Sequence, residues 1–112
     1  MKPSLHLSLA ALLTLTLASP AFAKGSPARG LKIAERNCAA CHAVGRAGAS
    51  VNPKSPPFRT LAQRYPLQEL EESLGEGIMV GHEGPEMPVF EFSPKQIEDL
   101  MAYLSAIQVK KR

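Results

Sequence analysis

The pentapeptide Cys38-Ala39-Ala40-Cys41-His42 carries more chemistry than any other stretch of the sequence. At the end of a helix its two thiols and its imidazole stand at i, i+3 and i+4, so all three side chains leave one face. Two thiols so placed can each add across a vinyl group of haem and fix its edge. The adjacent imidazole then reaches the iron from one side, and Cys-x-x-Cys-His spacing is the pattern of covalent haem attachment. Three other uses of the same residues compete. A thioredoxin-like redox pair needs a βαβ context, and no strand-period alternation is visible. A zinc site needs about four ligands, whereas the chain beyond residue 23 holds two Cys and two His, His42 and His82. A disulfide between Cys38 and Cys41 closes too small a ring to tie a fold together.

Iron in haem has a sixth position, and four side chains beyond residue 23 compete for it: Met79, Met87, Met101 and His82. Met101 falls in the apolar stripe of a helix and is expected in the core. Met79 follows Ile78 near a helix end, where packing is the simpler use. His82 is expected as a loop residue. Met87 lies in Gly84-Pro85-Glu86-Met87-Pro88-Val89-Phe90. Pro88 pushes the residue before it towards an extended backbone, which can hold its side chain out of a loop. A thioether is a soft, neutral ligand that favours ferrous iron, so Met87 is the expected partner of His42.

These groups have to be positioned by a small chain. It has 112 residues, 45% hydrophobic, 21% charged and 5% aromatic, with ten Pro and eight Gly. That is one domain at most, and multidomain enzymes, coiled coils and disordered acidic chains are excluded. A core this poor in aromatics needs a staple such as a disulfide, a metal or a bound cofactor. Residues 1–23 read as a signal peptide. Lys2 leads, an apolar run of 14 residues extends from Leu5 to Ala18, and Ala21 and Ala23 fit the cleavage site. The run is short of the roughly 18–20 residues that span a bilayer, so a retained anchor is the weaker reading. Export past the cytoplasm suits a covalently held cofactor, and the expected location is periplasmic, without stable membrane insertion once the leader is removed.

Residues 24–112 are the expected domain. Without Lys2 they hold 12 cations against 10 anions, a net charge of +2. The only dense basic run is Lys110-Lys111-Arg112 at the terminus, so nucleic-acid binding is not expected. Ser26-Pro27 is an N-cap with proline at the first helical position, and a helix is expected from Pro27 to about Ala40. Gly30, Ile33, Ala34 and Asn37 share a face. Residues 43–57 hold three Pro, two Gly, two Ser and an Asn and read as loop. A short helical turn is expected at Arg59–Arg64. Pro66 opens a helix with Leu67, Leu70 and Leu74 on one face, and Gly75 is expected to stop it. Residues 75–92, with four Gly and two Pro, form a second loop. Ser93-Pro94-Lys95-Gln96 supplies an N-cap, a first-turn proline and a capping-box glutamine. Ile97, Leu100, Met101, Leu104 and Ile107 then mark an amphipathic helix of about 15 residues. The fold class is therefore all-α, with three or four helices and two long loops. Loops of that length in a small domain are commonly functional.

Taken together, Gly30 and Ile33-Ala34 ahead of the Cys-Ala-Ala-Cys-His motif, Met87-Pro88 with Phe90, and Tyr103-Leu104 in the last helix resemble the class I c-type cytochromes. Those are small monohaem electron carriers of the bacterial periplasm and of mitochondria. The resemblance covers nearly all of residues 24–112. It implies a cytochrome c-like fold wrapped around one haem c per chain, attached through Cys38 and Cys41, with His42 and Met87 as axial iron ligands. It further implies that the first and last helices cross with Gly30 at the close contact and Tyr103 against it. It implies, finally, a loop proline whose carbonyl accepts a hydrogen bond from the second nitrogen of the axial histidine. Pro56 is the better match and Pro57 the alternative, while stiffening of the loop alone would also account for both.

The implied activity is one-electron transfer between redox proteins that dock transiently at the exposed haem edge, with no enzymatic reaction of its own. A haem-based ligand sensor or peroxidase-like protein, with a labile sixth ligand, is the alternative. A dedicated cytochrome subunit of a periplasmic dehydrogenase would share the chemistry and differ only in its partner. Two haem propionates roughly cancel the net +2, so overall charge does not point to an acidic or a basic partner.

Overall fold

The computed structural model describes residues 1–3, 24–77 and 87–110. Residues 4–23 of the proposed leader, Met79, His82 and the last two residues of the basic terminus lie outside those residues. Three α-helices and one 3-10 helix make up the described fold: α1 Pro27–Asn37, the 3-10 helix Phe58–Gln63, α2 Leu67–Glu76 and α3 Pro94–Ile107. No strand occurs among the described residues, and the fold is all-α.

The first and last helices start where their sequence directs. The Ser26 side chain accepts a hydrogen bond from the Arg29 amide, with Pro27 at the first helical position. Ser93 and Gln96 close a full capping box at the start of α3, satisfying two amides that a helix start leaves unpaired.

The helix ends differ from expectation. α1 stops at Asn37, not near Ala40. The Asn37 side chain turns back and donates to Ile33 O at 2.8 Å, a local bond that competes with continued helix. The chain then makes one further turn, with the Cys41 and His42 amides both donating to Cys38 O at 3.2 and 2.9 Å. α2 runs through Gly75 and stops at Gly77, whose φ of 69° is left-handed. A left-handed residue ends a helix, and glycine adopts it without a Cβ penalty. Gly75 has no such backbone and remains an ordinary helical residue. The short turn expected at Arg59–Arg64 begins one residue earlier, at Phe58.

The core is the crossing of α1 and α3, with α2 and the 3-10 helix packed beside it. Ala34, Phe58, Leu61, Leu70, Leu74, Ile97, Leu100, Tyr103, Leu104 and Ile107 form one buried cluster. At the crossing Gly30 lies against α3. A Cβ on Gly30 would sit 2.7 Å from Tyr103 Cβ and would overlap the Asp99 carbonyl. Absence of a side chain is thus what lets the two backbones meet.

A charged clamp secures the same crossing. The Asp99 side chain is 4% exposed. It accepts hydrogen bonds from Ser26 N at 2.6 Å, Arg29 Nε at 2.7 Å, Arg29 Nη2 at 3.1 Å and Lys95 Nζ at 3.1 Å. A buried carboxylate is costly without partners; here the start of α1 and the first turn of α3 provide them. Arg29 and then the Ser26 amide hold the Asp99 carboxyl well below the usual carboxylate range.

Candidate functional site

The turn after α1 presents Cys38, Cys41 and His42 to a cleft between α1, the 3-10 helix, α2 and α3. The cleft is also lined by Pro56, Phe58, Leu70, Met87, Phe90 and Leu104. The cleft is open at one side and its wall is mostly apolar, the usual character of a cofactor site.

His42 is 8% exposed. Its Nδ1 lies 2.8 Å from Pro56 O, so this nitrogen donates to the carbonyl. Its ring packs on Phe58 with centroids 5.0 Å apart at 47°. Of the two candidate prolines, Pro56 makes the contact. The loop that brings it there is tied at several points. Asn52 N donates to Cys41 O at 3.0 Å, and Phe58 N donates to Ala43 O at 2.9 Å. Ala43 N donates to Ser50 Oγ at 2.9 Å, and Tyr103 OH donates to Val44 O at 2.6 Å. Burial pushes the Tyr103 phenol up, which keeps it a donor.

Cys38 and Cys41 are free thiols. Burial pushes the Cys38 thiol up to about 11. The thiolate is the nucleophile in disulfide exchange, so Cys38 is poorly suited to a dithiol redox role at neutral pH. No group of three or more His, Cys, Asp or Glu suited to a metal ion occurs among the described residues.

Met87 is half-buried and lines the cleft with the thiols and His42. Phe90 and Phe92 stack at 5.4 Å on the same segment and also face the cleft. Met101 does not line the cleft; as expected it packs against the core, half-buried, beside a surface groove with Lys24, Leu67 and Glu98. The donor set around the cleft is therefore two thiols, one imidazole and one thioether in mostly apolar surroundings. Those groups fit a haem, which takes thioether bonds at its edge and nitrogen and sulfur at its iron.

A family model described as cytochrome c matches residues 27–108, from the first residue of α1 to the residue after α3. The chain belongs to the cytochrome c family. The match covers all four helices and the residues that line the cleft, so the chain is a haem-binding electron carrier, and Cys38 and Cys41 fit the family's mode of haem c attachment. A search of curated proteins finds no match.

Two parts of the site escaped sequence reasoning. Ser50 and the hydroxyl of Tyr103 both reach the backbone beside His42, from 7 and 59 residues away. Neither forms a local pattern; Ser50 in a loop of small residues offers no signal at all.

Proposed function

We propose that the protein is an exported, monohaem carrier of single electrons in which His42 and Met87 are the axial ligands of haem c. The observation that carries this reading is the shared cleft. His42 and Met87, 45 residues apart in sequence, line the same cavity as the two cysteines. When bound, haem supplies the one-electron couple. The chain's own residues do the rest. Cys38 and Cys41 would hold the edge of the group covalently. Pro56 O accepts from Nδ1, fixes the ring and raises its basicity, so that Nε2 is the nitrogen with which His42 would ligate. Met87, held in the cleft wall ahead of Pro88, would offer sulfur. Leu70, Leu74, Leu100 and Leu104 keep water from the centre, and a low-dielectric surrounding is one determinant of potential.

With His42 and Met87 both holding the iron, a change of its oxidation state would require no ligand exchange. Small, transient docking interfaces are usual for such carriers. Val51 is 75% exposed, and the next residue, Asn52, bonds the Cys41 carbonyl. This exposed apolar side chain next to the Cys41 segment supports docking of redox partners at the attached edge. Among the described residues no helix is long and apolar enough to cross a membrane. The sequence of residues 1–23 supports export to the periplasm and cleavage after Ala23.

The test is spectroscopic. The protein should show a low-spin haem c difference spectrum with a long-wavelength sulfur-to-iron charge-transfer band, and Met87→Ala should lose that band. Persistence of the band in Met87→Ala overturns the Met87 assignment. Tight carbon monoxide binding by the untreated ferrous protein would favour a ligand sensor instead.

A further inference from the structure

The backbone that follows His42 is held more firmly than its loop composition suggests, and two side chains do the holding. Ala43 N donates to Ser50 Oγ at 2.9 Å. Val44 O accepts from Tyr103 OH at 2.6 Å. Between them, Ala43 O accepts from Phe58 N at 2.9 Å. Three of the four backbone polar groups of residues 43–44 are thereby fixed, within two residues of the imidazole.

Tyr103 is 7% exposed and stands at the helix crossing, with its Cβ over Gly30. The thiol of Cys38 belongs to the C-cap of α1. The crossing therefore connects the two halves of the attachment motif through separate routes. α1 sets where the thiols stand, and α3, through the Tyr103 hydroxyl, sets where the strap after His42 stands. Gly30 is what permits the approach that brings that hydroxyl within reach.

We propose that Tyr103 and Ser50 are positioning residues for the axial histidine, orienting the His42 ring through the 43–44 strap. This rests on the reading of His42 as an iron ligand. Neither side chain lines the cofactor cleft, and the polar contact each makes beside His42 is to backbone. Nδ1 is anchored at Pro56 O on the far side of the loop, and the strap supplies the second fixed point that a ring orientation requires.

The experiment is proton NMR of ferric holoprotein, in which the hyperfine-shifted ring-methyl resonances of the haem report the orientation of the axial ligands. Tyr103→Phe keeps the buried ring and removes only the hydroxyl; Ser50→Ala removes the acceptor and Ser50→Thr retains it. The expected result is an altered order or spacing of the methyl resonances in Tyr103→Phe and Ser50→Ala, with the wild-type pattern kept in Ser50→Thr. A purely structural role predicts a lower melting temperature with the methyl pattern unchanged, and that result overturns the proposal. Should Tyr103→Phe fail to accumulate as holoprotein, Ser50→Ala against Ser50→Thr decides, because Ser50 lies away from the crossing. The underlying reading fails separately: a wild-type spectrum without low-spin, histidine-ligated haem removes His42 as ligand before any variant is compared.

Discussion

Gly30→Ala and Gly75→Ala should shift stability in opposite directions, although both place a methyl group in a helix. At Gly30 the new Cβ would stand 2.7 Å from Tyr103 Cβ and 2.7 Å from the Asp99 carbonyl carbon, overlapping the carbonyl oxygen. Ordinary contact begins near 3.4 Å, so α1 and α3 must part locally by roughly 0.7 Å or more in a core that has no slack. Overpacking costs about 1–3 kcal/mol. The obstructing atoms are backbone and a Cβ, which cannot rotate away, so the upper half of that range applies. Replacing glycine by alanine inside a helix returns about 0.5–1 kcal/mol, leaving a net loss of about 1–2.5 kcal/mol. For a domain of this size that is a melting temperature lower by about 4–20 °C. At Gly75 the nearest atom is Ile97 Cδ1 at 3.9 Å, an ordinary contact, and the position is exposed within α2. Only the propensity gain remains, about 0.5–1 kcal/mol, and the melting temperature should rise by about 2–8 °C. The assay is a thermal melt of each holoprotein by far-ultraviolet circular dichroism, at matched haem content. A Gly30→Ala protein that melts at or above the wild type refutes the close-crossing argument.

Further outcomes follow from the clamp and the caps. Asp99 has its folded pKa depressed by Arg29 and Ser26, so its stabilisation is complete above the unfolded carboxylate value of about 3.9 and is lost as pH falls below it. The gap in melting temperature between wild type and Asp99→Asn should therefore be constant near neutrality and close in acid; a gap independent of pH down to 2 contradicts the ion-pair account. Ser93→Ala removes the capping box of α3 and should cost about 1 kcal/mol in urea unfolding, with no change in the visible spectrum. Gln108 accepts from Ala62 N and donates to Phe58 O and Leu104 O, all at 2.8 Å; Gln108→Ala should cost about 1–3 kcal/mol in the same assay, and no loss would show that α3 does not anchor the 3-10 helix.

Local chemistry explains why some features were legible and others not. Ser26-Pro27 and Ser93 with Gln96 act within one turn, so their sequence reads directly as helix starts. The apolar spacing of Ile97, Leu100, Leu104 and Ile107 likewise matches the buried face of α3. The end of α2 was misread because Gly75 and Gly77 are alike in sequence and differ only in backbone, the second alone having positive φ. Asp99, between Glu98 and Leu100, reads as one more solvated charge. Its burial depends on Ser26 and Arg29, 73 and 70 residues away, and no periodicity encodes that. The choice between Pro56 and Pro57 is of the same kind, since both stiffen the loop and only the folded path brings one carbonyl to His42. At the cleft, residue types named Cys38, Cys41, His42 and Met87 as candidates, but their common wall is a property of the tertiary fold.

The most direct measurement is the intact mass of the exported protein under denaturing conditions, taken with a pyridine haemochrome spectrum. The account predicts a single chain beginning at Lys24, heavier by the mass of one haem, that loses the added mass in Cys38→Ala/Cys41→Ala. A chain of unmodified mass, with no haem c in the spectrum, would contradict it.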